Sequence, residues 1–105
     1  MRLGPLAFAR EAIADIGRAV LWLSQPGAGR NAAVRLDALL SAMHEIAREP
    51  YRWPPHAGLP GMRRRSVRGG YTILYRVQES ESGRDELGED DEVEIVRVLG
   101  PAQQR

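Results

Sequence analysis

Hydrophobic and polar positions along the chain change their spacing several times, and each change marks an element. Arg2 to Phe8 is short and mildly apolar and predicts a weak strand, with Gly4-Pro5 inside it. From Arg10 the spacing becomes helical. Ile13, Ile16, Val20 and Leu23 line one face, with Glu11, Asp15 and Arg18 elsewhere on the cylinder and Trp22 closing the apolar face near its end. Ser24-Gln25-Pro26-Gly27 breaks this helix. A second helix is predicted from Ala28 to Glu49, with Leu36, Leu39, Leu40, Met43 and Ile46 as its stripe and Pro50 as its stop. The short join makes the pair an antiparallel helical hairpin.

Tyr51 to Gly61, YRWPPHAGLPG, is rich in proline and predicts a rigid, extended connector, with Trp53 pinning it to the body. The chain then turns to a two-residue period. Arg63 to Arg68 and Tyr71 to Val77 flank Gly69-Gly70, which predicts a β-hairpin because such a turn needs positive φ. Tyr71, Ile73, Tyr75 and Val77 share one face; Thr72, Leu74 and Arg76 share the other. Large apolar groups on both faces predict a central strand. Val93 to Leu99 is the last strand, stopped by Gly100-Pro101. The order β-α-α-β-β-β predicts one α+β domain over residues 1–105, a helical hairpin on one face of a small, mainly antiparallel four-stranded sheet.

Composition narrows the class. The 105 residues suffice for one core, and 43% hydrophobic with 28% charged residues is ordinary for a soluble domain. No apolar run reaches membrane-spanning length, nothing resembles a secretion signal, and a cytoplasmic location is expected. The chain has no cysteine, and its two histidines are far apart, so neither a disulfide framework nor a metal site is expected; no cofactor is implied. Charge is uneven. Residues 79 to 92 hold eight acids and one arginine, a local charge of −7, and predict a long solvated, mobile loop. The remaining fourteen arginines and six acids leave +8 on the body, suited to a nucleic acid or an acidic protein segment. All fifteen basic residues are arginine.

The arginines are the candidate chemistry. Alternation puts Arg63 and Arg65 on one face with Val67, and Arg64 and Arg68 on the other, as a phosphate- or carboxylate-binding rim or as charges that keep a strand edge solvated. Arg76 and Arg97 interrupt apolar strands and each needs a partner, either a ligand or an internal carboxylate such as Asp37 or Glu45. Tyr71 and Tyr75 either stack on bases or belong to the core. His44 and His56 are acid–base candidates without a partner placed by the sequence. The chain has no phosphate-binding glycine loop and no nucleophile elbow.

Taken together, GLPGMRRRSVRGGYTILYRV (Gly58 to Val77), VEIVRVLGPAQQR (Val93 to Arg105), the helix start Ala12 to Ile16 and EPYRWP (Glu49 to Pro54) resemble the RelE/ParE superfamily of type II toxin–antitoxin toxins. The resemblance implies the same fold and growth arrest relieved by a cognate antitoxin in a hetero-oligomer, a role linked to plasmid stabilisation. RelE-like members cut messenger RNA on the ribosome; ParE-like members poison DNA gyrase. Two basic residues before the turn assist the RelE-like cut, and Arg63 and Arg65 match them. The basic residue expected after the tyrosine of the GY pair is Thr72 here, Gly100-Pro101 stand where a basic residue or histidine follows the last strand, and a later aromatic is absent.

Cleavage by a 2′-hydroxyl needs a base, a cation for the phosphorane and an acid for the leaving oxygen. Arginine supplies charge but carries protons poorly. The expectation is therefore a ParE-like, non-enzymatic toxin, its target or antitoxin contacts drawn from Arg63, Arg64, Arg65, Arg68, Arg76 and Arg97. The alternatives are an endonuclease using Arg63, Arg65, Arg76 and His56, and a non-toxic binding module of the same fold.

Overall fold

The computed structural model describes residues 2–3, 6–29, 31–78 and 92–101. Strands β1 (Arg2–Leu3) and β2 (Leu6–Phe8) precede helices α1 (Arg10–Ser24) and α2 (Ala32–Arg48). Strands β3 (Arg63–Val67), β4 (Tyr71–Gln78) and β5 (Glu92–Leu99) follow. The sheet order is β1-β2-β5-β4-β3, antiparallel throughout except for the parallel pair β2–β5. The α+β class and the β-α-α-β-β-β order are as expected, with two short antiparallel strands, β1 and β2, where one was expected, so that the sheet has five strands and not four. The second helix starts at Ala32 and not Ala28, since Gly29 sits at φ +95, outside helical space. The acidic stretch, Glu92 apart, lies outside the described residues.

The β3–β4 hairpin turns through Arg68-Gly69-Gly70, with both glycines at positive φ and Gly70 N–H donating to the Val67 carbonyl at 3.3 Å. A Cβ on Gly69 would come within 2.9 Å of the Arg35 side chain, and one on Gly70 within 2.8 Å of Pro101. The turn is therefore held between α2 and the end of β5. Tyr71, Ile73 and Tyr75 on β4 meet Val93, Ile95 and Val98 on β5, and Leu39, Met43 and Ile46 on α2, in one core. Burying each aliphatic side chain contributes about 1.5–3 kcal/mol. Both tyrosines are core, so neither presents a stacking surface for bases. Tyr75 donates its hydroxyl to the buried Pro50 carbonyl at 2.6 Å, tying the end of α2 to the middle of the sheet. Burial pushes that phenol up to about 12.

Helix α1 corrects the expected stripe. The residues it buries are Ala12, Asp15, Ala19 and Leu23, while Ile13 and Val20 are exposed and Trp22 is 65% exposed. The buried line is made of small side chains at helical spacing, so the helix sits close to the sheet edge. Its polar member has a specific task. Beyond Ile95, β5 has no strand on the side of β2, and its backbone there needs a partner. Asp15 supplies one. Its Oδ2 accepts from Val98 N–H at 2.9 Å and from Arg97 Nε at 2.7 Å, and its Oδ1 accepts from Arg97 Nη2 at 3.1 Å and from Arg18.

The Asp15 side chain is fully buried. Burial pushes its carboxyl up, but the Arg97 hydrogen bond, the Val98 amide and the Arg97 and Arg18 charges together outweigh that and hold it below 3.8. The partner of Arg97 is thus Asp15, and neither Asp37 nor Glu45. A carboxylate with a lowered pKa stabilises the fold above its unfolded value, and that stability drains as pH falls through the folded one. We expect Asp15→Asn to cost about 2–3 kcal/mol at neutral pH, less than a fully enclosed pair because Arg97 is 37% exposed and can rehydrate. Thermal melts should also show a weaker loss of stability below pH 4 than in the unsubstituted chain.

Candidate target-binding surface

Strand β3 has two different faces. Its register pairs Arg63 with Tyr75, Arg65 with Ile73 and Val67 with Tyr71, all on the helix-covered side. Arg64 lies opposite Leu74 and Ser66 opposite Thr72, on the outer side. The two groups of arginine meet different fates.

Arg63 and Arg65 hold the connector. Arg63 Nη1 donates to the Trp53 carbonyl at 2.6 Å and to the Tyr51 carbonyl at 3.4 Å, and its guanidinium lies 5.1 Å from the centre of the Tyr51 ring. Arg65 lies 4.5 Å from the centre of the Trp53 ring, where Arg52 also sits at 5.1 Å. Arg65 Nη2 donates to both Glu45 oxygens at 3.3 Å, and Nη1 to the Ser66 carbonyl. Glu45 is therefore the partner of an arginine in β3, not of Arg76 or Arg97. The connector also lies along the free edge of β3: Arg64 N–H donates to the Pro54 carbonyl at 3.0 Å, and His56 N–H to the Met62 carbonyl at 2.8 Å.

The outer face runs across three strands. Arg64, Leu74 and Arg97 stand side by side in register, so that Leu74 is flanked by two arginine stems. Arg76 is two residues along β4 and pairs with its cross-strand neighbour Glu94, Nε to Oε1 at 2.6 Å. Arg68 is exposed in the turn. His56 lines a cleft of about 440 Å³ with Trp53, Pro54, Pro55, Ala57, Arg64 and Ser66. The four residues of the endonuclease alternative are thus not brought to one surface: Arg63 and Arg65 lie on the helix side and Arg76 on the other. Among the described residues no group of histidines and carboxylates could hold a metal ion, and no helix is long and apolar enough to cross a membrane.

Sequence reasoning named Glu45 as a partner but for Arg76 or Arg97 and not for Arg65, it missed Asp15 and Glu94 as partners, and it missed a second surface. Ile13 and Leu40, both over 40% exposed, border an apolar groove of about 200 Å³ with Leu6, Phe8, Ile16, Met43 and His44. The clue was present in α1, where a line of small residues runs beside the line of large ones: only one of the two can face the sheet.

Residues 6–105 match the family described as ParE toxin of type II toxin-antitoxin system, parDE, and the chain belongs to that family. Such a toxin implies a cognate antitoxin as partner. Among solved structures, one described as the chromosomal ParDE TA system from P. aeruginosa shares the fold. It has a TM-score of 0.61 and 17% identity over 89% of this chain and 90% of that one. No curated protein matches the chain.

The two faces of β3 should separate in stability measurements. Arg63→Ala should cost about 1–2 kcal/mol through the lost charged hydrogen bond and ring contact. Arg64→Ala, at an exposed position, should stay within about 0.5 kcal/mol of the unsubstituted chain. Urea unfolding of the two variants checks this.

Proposed function

We propose that this chain is a ParE-type toxin that arrests growth by binding DNA gyrase, without breaking a bond itself, and that its antitoxin covers the helical hairpin. The observation that carries the non-enzymatic reading is the placement of Arg63 and Arg65. They match the residues that assist the cut in RelE-like relatives, yet here they are engaged by connector carbonyls, aromatic rings and Glu45. The two positions where the RelE-like pattern adds a basic group hold none here: the residue after the GY tyrosine is a buried threonine, and Gly100-Pro101 follow β5. The cations left outward on Arg64, Arg68 and Arg76 suit recognition of an acidic or phosphate-bearing target.

The exposed line of Ile13, Val20 and Leu40 with its groove fits an amphipathic antitoxin segment, which would bury apolar area there and pair acidic residues with nearby arginines. A purified gyrase supercoiling assay tests both parts. The full chain should block supercoiling at concentrations that arrest cells, and its antitoxin should restore it. Leu40→Glu should still inhibit but need at least tenfold more antitoxin for rescue, because a charge replaces apolar contact in the groove. Unimpaired supercoiling alongside arrested growth would remove the gyrase assignment, and cut transcripts after induction would restore the endonuclease alternative.

A further inference from the structure

The cleft between the connector and β3 carries chemistry that the structural tasks of β3 do not use. Among the described residues, the Arg64 side chain makes no ion pair, hydrogen bond or ring contact, in contrast to Arg63, Arg65, Arg76 and Arg97. Arg64 lines the cleft with Ser66, on the same face of β3, and the half-buried His56. Pro54 and Pro55 form an apolar wall whose backbone is fixed by ring closure and by the hydrogen bonds to Arg64 and from His56 to Met62. No carboxylate lines the cleft.

We propose that this cleft is a nucleotide-unit site, with the Arg64 fork on a phosphate, Ser66 and His56 on its remaining oxygens, and the proline wall against the sugar or base. Two features favour a phosphate over a carboxylate. A guanidinium, a hydroxyl and an imidazole arriving from two chain segments suit a tetrahedral group with several acceptor oxygens, whereas a carboxylate is filled by one fork. The volume of about 440 Å³ also exceeds what an acidic side chain fills and falls in the range of small-ligand sites. Little ordering is needed on binding, because both walls are already hydrogen-bonded to each other. The proposal stands apart from the gyrase reading, since the site is defined without gyrase.

Fluorescence anisotropy with the purified full chain and no gyrase tests it, using short labelled single-stranded DNA and RNA, with thymidine monophosphate, inorganic phosphate and a polyglutamate peptide as competitors. Arg64→Gln should weaken oligonucleotide binding about tenfold and lower the salt slope by about one. Arg10→Gln, exposed on α1, should change neither. Thymidine monophosphate should compete better than inorganic phosphate, showing that more than the anion is held. In the unsubstituted chain, thymidine monophosphate should shift the NMR signals of His56 and Ser66. Equal losses for Arg64→Gln and Arg10→Gln, displacement by polyglutamate as effective as by the nucleotide, or shifts confined to other residues would each overturn the site.

Discussion

A single carboxylate closes the weakest place in this fold. A short β2 leaves the second half of β5 without a neighbouring strand on the side away from β4, and an open edge next to an apolar core invites pairing with other chains. Asp15 fills the gap from α1, taking the Val98 amide and the Arg97 guanidinium together. It thereby fixes three things at once: the seat of α1, the end of β5 and the direction of Arg97. The turn between β3 and β4 follows from this, because Pro101, just past β5, packs against Gly70. The bond also pushes the Arg97 guanidinium up, so the pair stays charged wherever the protein is folded near neutrality.

With the open half of β5 met by α1 and the β3 edge lined by the connector, the arginines of β3 sort by face. Those directed at the helices become structural, lying over Tyr51 and Trp53 and holding the connector by its carbonyls. Of the arginines on the outer face, Arg64 keeps its charge outward, Arg76 shares its charge with the surface acid Glu94, and Arg97 is drawn to the buried Asp15 at the sheet's side. One strand thus carries held and outward-facing copies of the same residue type, separated only by the two-residue period. In this ParE family member Arg64 and Arg68 face outward, while Arg63 and Arg65 lie on the helix side and Arg76 on the other.

Much of the fold was legible in the chain. Gly69-Gly70 between β-rich runs, the prolines after α2 and the alternation in Tyr71 to Val77 each state a local preference that the tertiary structure keeps. What was hidden depended on contacts between distant residues. Asp15 looks like a surface residue because the partners that bury it, Arg97 and Val98, lie more than eighty positions away. Ile13 and Val20 outweigh Ala12 and Ala19 when a stripe is judged by hydrophobicity, yet close packing against the sheet favours the alanines, leaving the larger residues exposed. The division of Arg63 and Arg65 from Arg64 could be read from alternation, but not which side the helices would take.

The account therefore rests on the link between Asp15 and Arg97. A double-mutant cycle with Asp15→Ala, Arg97→Ala and the double variant, followed by urea unfolding, measures it directly. The structure predicts a coupling energy of about 1–3 kcal/mol, as for neighbours in one hydrogen-bonded network. Additive losses, with coupling under about 0.5 kcal/mol, would contradict it and leave α1 held to β5 by its alanines alone.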